Sequence, residues 1–244
     1  MEKAFNSFLL TLLLLLYYVM ASSAMTQTNI TTDQLVLLAL KSHIISDPFH
    51  FLDESWSLAT SICHWIGVTC GSCHRRVKFL NLSNMTLTGR IPRDFGSLTF
   101  LVSLDLRRNN FQGNLPQEMA CLRRLKFLRL SFNSFSGEVP SWFGFLHQLQ
   151  VLSLRNNSFT GSIPSSFFSI TKLETLDLTF NSLDGQFPKE IKGVENLRYF
   201  SLYGNNLIGS IPPSLMNASR LETLDLSRNS IKETFQKRSA IFTI

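Results

Sequence analysis

The cysteines are the residues of this chain whose types and spacing could perform chemistry. Cys70-Gly-Ser-Cys73, with a histidine on either side, has the ligand types of a zinc site or a redox pair. A structural zinc site usually combines two such ligand couples, and a redox Cys-x-x-Cys lies between a strand and a helix. The chain supplies neither a second couple nor that setting, so we expect no metal site.

The N-terminus predicts export. Lys3 precedes an apolar run over residues 8–20, and small residues follow as far as Ala24. This layout is typical of a signal peptide, which we assign to residues 1–24, because the run is shorter than the roughly 20 residues that span a bilayer. No second run of spanning length follows, so we expect no membrane span after cleavage.

Export has two consequences for individual residues. In an oxidising compartment disulfides persist. The six-residue interval between Cys63 and Cys70 suits a short local bridge, whereas Cys73 and Cys121 could pair, exchange or stay free. An exported surface is also open to N-glycosylation. The acceptor sequons begin at Asn29, Asn81, Asn84, Asn156 and Asn217.

Neither catalysis nor nucleic-acid binding is predicted. The chain has no nucleophile elbow, no phosphate-binding loop and no protein-kinase signature. Its net charge of +6 is spread along the sequence. The densest basic cluster, Arg75-Arg76-Val77-Lys78, is too short to indicate a polyanion site and is interpreted as solvated surface. We therefore expect no enzyme activity, no catalytic residue and no cofactor.

The elements that must position any binding residues are repeats of 24 residues. Seven segments align without a gap from Val77, and the last is incomplete. Each follows the pattern LxxLxLxxNxLxGxIP, whose alternating leucines predict a short strand with one buried face. The asparagine after each strand is expected to satisfy backbone groups of its own and the adjacent coil, forming a ladder. The ladder positions are Asn109, Asn133, Asn157, Asn181, Asn205 and Asn229.

The repeats and the segment before them resemble the plant extracellular leucine-rich-repeat class. Residues 25–76, with Trp56 and the motif SICHWIGVTC, are similar to the N-terminal cap of plant leucine-rich-repeat receptor kinases, especially the immune-receptor subfamily. The resemblance implies an α/β solenoid: a right-handed superhelix over residues 77–232 with a parallel concave sheet, a second small strand in each coil and a helical cap. It also implies a Cys63–Cys70 bridge.

The two ends of the chain carry further expectations. In the cap we predict an amphipathic helix that begins at Thr32 or Asp33 as its N-cap and ends at Asp47-Pro48. Its apolar residues are Leu35, Leu38, Leu40 and Ile44 or Ile45. Residues 233–244 leave the repeat pattern, because the glycine and proline of the other coils do not return. We interpret this tail as a break from a longer protein rather than a finished cap.

The open face of the sheet is the candidate binding site. Arginines gather at one end of it and aromatic residues interleave with them, and both are common interface anchors. The candidate residues are Arg107, Arg108, Phe127, Arg129, Phe132, Arg155, Phe180, Tyr199 and Tyr203. An extended peptide with acidic groups or a free carboxylate could bind through bidentate arginine contacts. Asp105 could instead pair with Arg129, and Asn156 is expected to be unglycosylated or to mark the edge of the site.

These expectations combine into one functional hypothesis and one alternative. The hypothesis is a ligand-recognition module of a plant receptor-like kinase in defence or development signalling, binding a peptide or protein. The resemblance adds a co-receptor ectodomain as a second partner and the apoplast or the outer face of the plasma membrane as the location. The alternative is a free-standing secreted inhibitor or decoy, similar to the proteins that block fungal polygalacturonases.

Overall fold

The computed structural model describes residues 30–188, 191, 193, 195–232 and 242–243. The signal peptide assigned to residues 1–24, the sequon at Asn29 and most of the tail lie outside the described residues. Within them the chain forms a solenoid of stacked coils that is closed at one end by a helical cap. None of the helices in these ranges has the length and apolar character needed to span a bilayer.

The cap combines two α-helices with two short strands. Helix α1 spans Ile30–Ser42 and helix α2 spans Phe51–Ser55. Strands β1 (Ile44–Ser46) and β2 (Val68–Cys70) each pair antiparallel with the first repeat strand of a sheet. The solenoid therefore begins on strands that the cap supplies.

Two tryptophans and a disulfide hold the cap together. Trp56 and Trp65 are buried and stack with their ring centroids 5.4 Å apart. Cys63 and Cys70 are joined by the disulfide that the resemblance implied. Cys70 is thereby used in the cap, which removes the alternative in which it is half of a metal or redox pair.

The structure corrects the expected extent and orientation of α1, which ends at Ser42, so that Ile44 and Ile45 lie in β1 instead. Leu35 is 59% exposed, whereas Leu37 and Leu40 are fully buried. Because the helix already begins at Ile30, Asp33 lies inside it and is buried rather than acting as an N-cap. The helix turns this side inward because Asp33 has a buried partner directly before the first repeat strand.

That partner is Arg76, and the two form an ion pair between α1 and the repeats. Arg76 Nε lies 2.8 Å from Asp33 Oδ2, and Nη2 lies 2.6 Å from Oδ1. The backbone N–H of Val77 donates to the same carboxylate over 2.8 Å. The interpretation of Arg76 as solvated surface is therefore wrong, since it is only 4% exposed and its charge is paired inside the protein.

The repeats supply the main sheet, in which nine strands are hydrogen-bonded side by side. Its repeat strands are β3 (Val77–Asn81), β5 (Ser103–Asp105), β7 (Phe127–Arg129), β9 (Val151–Ser153), β11 (Thr175–Asp177), β13 (Tyr199–Ser201) and β15 (Thr223–Asp225). They run parallel and in register, so Leu128 lies between Leu104 and Leu152 in the buried layer. We call the opposite side of this sheet, with the side chains that immediately follow each strand, the concave face.

A second set of short strands completes each coil, as the resemblance implied. These are β4 (Thr88–Gly89), β6 (Asn110–Gly113), β8 (Ser134–Glu138), β10 (Ser158–Gly161) and β12 (Ser182–Leu183), which form a sheet with β1, and the separate pair β14 (Ile208–Ser210) and β16 (Ser230–Lys232). Short 3-10 segments follow these strands at Arg93–Ser97, Gln117–Cys121, Ser141–Phe145, Ser165–Ser169 and Pro213–Asn217. In the tail, β17 (Phe242–Thr243) pairs in parallel with β15.

Leucine and phenylalanine side chains fill the space between the two sheets. The leucines of the strands are buried, and the rings of Phe111, Phe135 and Phe159 stack at centroid distances of 6.2 and 6.4 Å. Each of these rings comes from a different coil. The core is therefore built from contacts between neighbouring coils, as expected for a solenoid.

The predicted asparagine ladder is confirmed. Asn157 Oδ1 accepts from the backbone N–H of Phe135 at 3.0 Å, and Nδ2 donates to the carbonyls of Leu130 and Leu154 at 3.0 and 2.9 Å. Phe135 and Leu130 belong to the preceding coil, and Leu154 to the same coil. The other ladder asparagines repeat this pattern, starting with Asn109, which bonds to Leu82 and Leu87 of the first repeat coil.

The ladder predicts that substitutions of two adjacent asparagines differ strongly in their effect on the stability of the protein. Asn157→Asp removes both N–H donors and places a charge against carbonyl oxygens, so we expect unfolding to become easier by about 3 kcal/mol or more. Asn156→Asp makes the same chemical change at an exposed side chain without hydrogen bonds, and should change stability by less than about 0.5 kcal/mol. Urea titration of the two unglycosylated variants measures both values. Equal losses would contradict the ladder's role.

The ion pair in the cap predicts that substitutions of the adjacent residues Arg75 and Arg76 also differ in their effect on stability. Arg76→Met leaves the Asp33 carboxylate buried without its counter-charge, and we expect a loss of about 3–5 kcal/mol. Arg75→Met removes the same charge from the exposed neighbouring side chain and should be close to neutral. Thermal and urea denaturation compare the two. A small effect of Arg76→Met would show that α1 is not anchored through this pair.

Candidate ligand-binding face

A column of residues in the left-handed backbone conformation runs along the concave face. One such residue precedes each ladder position, and the φ angles lie between 51° and 69°. The column consists of Asn84, Arg108, Phe132, Asn156, Phe180, Gly204 and Arg228. A bulky side chain in this conformation costs about 1 kcal/mol or more relative to glycine, yet two positions carry phenylalanine. The turn that leads into each ladder asparagine thus holds side chains out over the concave face.

Cations and aromatic rings alternate along this column and the strand ends beside it. The Phe132 ring has the guanidinium carbons of Arg108 and Arg155 each 5.7 Å from its centroid. Arg155 also lies 6.0 Å from the Phe180 ring, which meets the Tyr203 ring edge to face at 5.0 Å. Such contacts stabilise an arginine without consuming its hydrogen-bond donors.

Gly204 is required for this arrangement. A Cβ atom at residue 204 would lie 2.7 Å from Cδ1 of Phe180, which is closer than side-chain carbons approach. The glycine therefore gives the Phe180 ring room to lie across the next coil. Phe132 and Phe180 remain 39% and 38% exposed, so their rings offer apolar surface to a ligand.

A pocket of about 350 Å³ opens on the same face, at the end nearer the cap. Its lining combines four arginines with one phenylalanine and several small polar residues. The lining residues are Asn84, Arg107, Arg108, Arg129, Ser131, Phe132, Ser153, Arg155 and Asp177. Four cationic side chains and one carboxylate give the pocket a positive field that favours anionic groups.

One of the four arginines is already paired within the protein. Arg107 Nη2 and Nε lie 2.8 and 3.0–3.1 Å from the Asp105 carboxylate oxygens. The hydrogen bond to Asp105 raises the pKa of the Arg107 guanidinium. The pairing of Asp105 with Arg129 that we considered from the sequence is therefore wrong. Asp105 pairs with Arg107, two residues further along the same coil.

The other three arginines, Arg108, Arg129 and Arg155, make no side-chain hydrogen bond or ion pair in the described part of the chain. Arg108 lies 5.7 Å from the Phe132 ring and Arg129 5.2 Å from the Phe127 ring, and Arg155 lies between two rings. Arg155 Nε is buried and has no hydrogen-bond partner. A buried unsatisfied N–H is unfavourable, and the rest of this half-buried side chain is open to an acceptor brought by a ligand.

The pocket's carboxylate, Asp177, is oriented by neighbouring donors. The backbone N–H of Thr179 donates to it at 3.1 Å and the Ser153 hydroxyl at 3.4 Å. Burial, and then the charge of Asp177, raise the pKa of the Tyr199 hydroxyl on the next strand. Tyr199 therefore stays protonated across the physiological pH range and can donate a hydrogen bond.

The structure brings five of the nine candidate residues together and leaves four beside them. Arg107, Arg108, Arg129, Phe132 and Arg155 line the pocket. The other four, Phe127, Phe180, Tyr199 and Tyr203, lie on the concave face around it, and three of them contact an arginine or another ring.

Four polar residues of the pocket, Asn84, Ser131, Ser153 and Asp177, are not among the candidate binding residues. Ser153 and Asp177 hold the same strand position as Arg129, and Ser131 follows that strand, so the 24-residue period places all three on the concave face. Asn84 was noticed only as a sequon, although it occupies the column position of Arg108 in the preceding coil. Its place in the pocket depends on the side chains around it, which the repeat pattern does not specify.

Other residue assignments are now placed in the fold. Cys73 and Cys121 are free and exposed rather than paired with each other. In the described ranges no group of three or more histidine, cysteine or acidic side chains could hold a metal ion. Of the sequons, Asn84 and Asn156 lie in the left-handed column, Asn81 ends β3, and Asn217 ends a 3-10 segment.

Comparison with family models identifies the class of protein. The leucine-rich-repeat N-terminal domain matches residues 30–71, a leucine-rich-repeat region matches residues 73–192, and a further leucine-rich-repeat model matches residues 171–231. Together these matches follow the cap and the coils described above. The chain belongs to the leucine-rich-repeat family.

Similar sequences narrow this class to plant receptor-like proteins. The chain is 39% identical over 89 residues to the LRR receptor-like serine/threonine-protein kinase EFR of Arabidopsis thaliana, which covers 36% of this chain and 9% of that protein. It is 40% identical over 113 residues to the MDIS1-interacting receptor like kinase 1 of the same plant, covering 44% and 11%. The chain thus spans about a tenth of the length of these relatives.

Solved structures of plant receptors share the fold. The PEPR1–AtPEP1 crystal structure superposes with a TM-score of 0.78 and 35% identity, covering 82% of this chain and 28% of that one. The ectodomain of the Arabidopsis receptor kinase HAESA, in complex with an IDA peptide hormone, gives a TM-score of 0.67 and 32% identity over 83% and 38%. Pollen Receptor Kinase 3 gives a TM-score of 0.72 and 28% identity over 84% and 100%. The chain is a leucine-rich-repeat protein of the plant receptor-like type.

Proposed function

We propose that this chain is an extracellular ligand-recognition module whose concave face binds an extended peptide or protein segment through a carboxylate group. The observation that carries the proposal is the pair Arg129 and Arg155, whose guanidinium groups share one pocket without an acidic partner in the described structure. A carboxylate placed between them would receive charge-assisted hydrogen bonds, which are about twice as strong as neutral ones.

The surroundings of these arginines favour a peptide over a free small anion. The exposed rings of Phe132 and Phe180 lie on either side of Arg155 and continue along the column beyond the pocket. Apolar side chains next to the carboxylate could rest on these rings, and the column crosses successive coils, so it offers an elongated surface to an extended segment. A free small anion would bind the arginines but make no contact with the rings of Phe132 and Phe180.

The comparisons support the same role. The HAESA structure that shares this fold is of a receptor-kinase ectodomain in complex with a peptide hormone, and the PEPR1 structure contains AtPEP1. We infer a receptor-type role for this chain in defence or development signalling, with a co-receptor ectodomain as a further partner, as named in a second HAESA complex. The location that fits this role is the apoplast or the outer face of the plasma membrane.

The proposal predicts that removal of one particular carboxylate from a peptide ligand weakens its binding. Linear peptides of twelve residues, selected from a displayed library on the unglycosylated protein, are resynthesised with a free or an amidated C-terminus and with each acidic side chain as its amide. We expect removal of one carboxylate to weaken binding at least about tenfold, the value of one charge-assisted bond. Calorimetry measures the affinities.

Matched arginine variants locate that carboxylate on the protein. Arg129→Gln and Arg155→Gln should each weaken the carboxylate peptide about tenfold or more and leave its amide unaffected. Arg123→Gln is the control, because it removes an arginine that also lies over an aromatic ring, Phe145, but outside the pocket. Equal binding of acid and amide, or an equal loss in the control, would contradict the proposal. Inhibition of a fungal polygalacturonase by both arginine variants would favour the secreted-inhibitor alternative.

A further inference from the structure

Asn156 occupies a position where a modification would act directly on the pocket. It begins the sequon Asn156-Asn157-Ser158 and lies in the left-handed column, with Phe132 before it and Phe180 after it. Its side chain is exposed and makes no hydrogen bond in the described part of the chain. Its neighbour Asn157, by contrast, is tied into the ladder by both side-chain atoms. The fold therefore leaves the Asn156 amide nitrogen available for a glycan.

The surroundings of Asn156 determine what such a glycan would cover. Arg155 precedes it and lies 5.7 and 6.0 Å from the centroids of the two flanking rings. Neighbouring strands of a sheet are about 4.8 Å apart, so a sugar ring attached at Asn156 reaches the adjacent coils. A bulky, hydrated oligosaccharide at this point lies over Arg155 and the rings on which a peptide would rest.

In place of the expectation from the sequence, which left Asn156 unglycosylated or at the edge of the site, we propose that Asn156 carries an N-linked glycan that covers the arginine pocket, so that the glycan and a peptide ligand exclude one another. The part of this inference that concerns the ligand rests on the proposed function. That the glycan covers Arg155 follows from the position of Asn156 next to this arginine and does not depend on the proposed function. Glycosylation then determines which molecules of the protein can bind, because a chain modified at Asn156 presents a closed site.

Two matched substitutions test the glycan without altering the concave face. Ser158→Ala destroys the Asn156 sequon at an exposed residue of β10 and keeps Asn156 itself. Ser219→Ala makes the same change in the Asn217 sequon, which belongs to a 3-10 segment outside the pocket. Both variants are made in, and compared with, a parent protein that carries Thr86→Gly. This substitution removes the sequon of Asn84, which lines the pocket, and glycine suits the φ of 57° at residue 86.

The first measurement needs no ligand. The proteins are secreted from a plant cell line, and glycopeptide mass spectrometry determines the occupancy of Asn156. Peptide mapping then follows the modification of Arg129 and Arg155 by phenylglyoxal. We expect Asn156 to be mostly occupied and Ser158→Ala to speed the modification of these arginines at least about threefold, because a surface glycan shields what lies beneath it. Ser219→Ala should leave the rates unchanged.

The second measurement uses the carboxylate peptide obtained with the unglycosylated protein. We expect Ser158→Ala to bind it at least about tenfold more tightly than the glycosylated parent, and Ser219→Ala to match the parent. An unoccupied Asn156, or arginine rates that do not change in Ser158→Ala, would overturn the inference. Faster arginine modification without any peptide binding would support the glycan site and contradict the proposed function, so the two failures are distinguishable.

Discussion

Every coil of this protein depends on hydrogen bonds that it makes to the coil before it. Each ladder asparagine accepts from the backbone N–H of one or two residues of the preceding coil and donates to carbonyls of both coils. A coil of 24 residues has too small a core to be stable alone, so these contacts and the stacked phenylalanines make folding possible only in series. The first coil in turn needs the cap, where the Arg76–Asp33 pair ties α1 to the repeats.

The same constraint produces the candidate site. To place the ladder asparagine inside the stack, the chain must turn at the residue before it, and that residue adopts the left-handed conformation in every coil. Glycine would satisfy this turn without strain, but the column carries arginine and phenylalanine at several positions. Their side chains meet Arg155 and Tyr203 from the neighbouring strand ends and form the alternating cations and rings. The ladder therefore orders both the core and the surface.

The regular part of this architecture could be predicted from the sequence, because a fixed period translates directly into stacked coils. The strands, the ladder and the Cys63–Cys70 bridge were all expected. The errors fell where the period gives no information. The rotation of α1 depends on Asp33 finding Arg76 across 43 residues, and the partner of Asp105 depends on a choice between two nearby arginines. The side-chain positions within the pocket also depend on such choices between neighbours. The period therefore identifies the concave face but not which arginines remain without an acidic partner.

The central claim is that the free donors of Arg155 recognise a carboxylate on the concave face. Its most direct test is the ¹H–¹⁵N resonance of Arg155 Nε, the buried atom without a partner, followed by NMR as a selected carboxylate peptide is added. We predict a downfield proton shift of this resonance with the carboxylate peptide and no comparable shift with its amide. An unchanged Arg155 resonance while the carboxylate peptide binds would contradict the account.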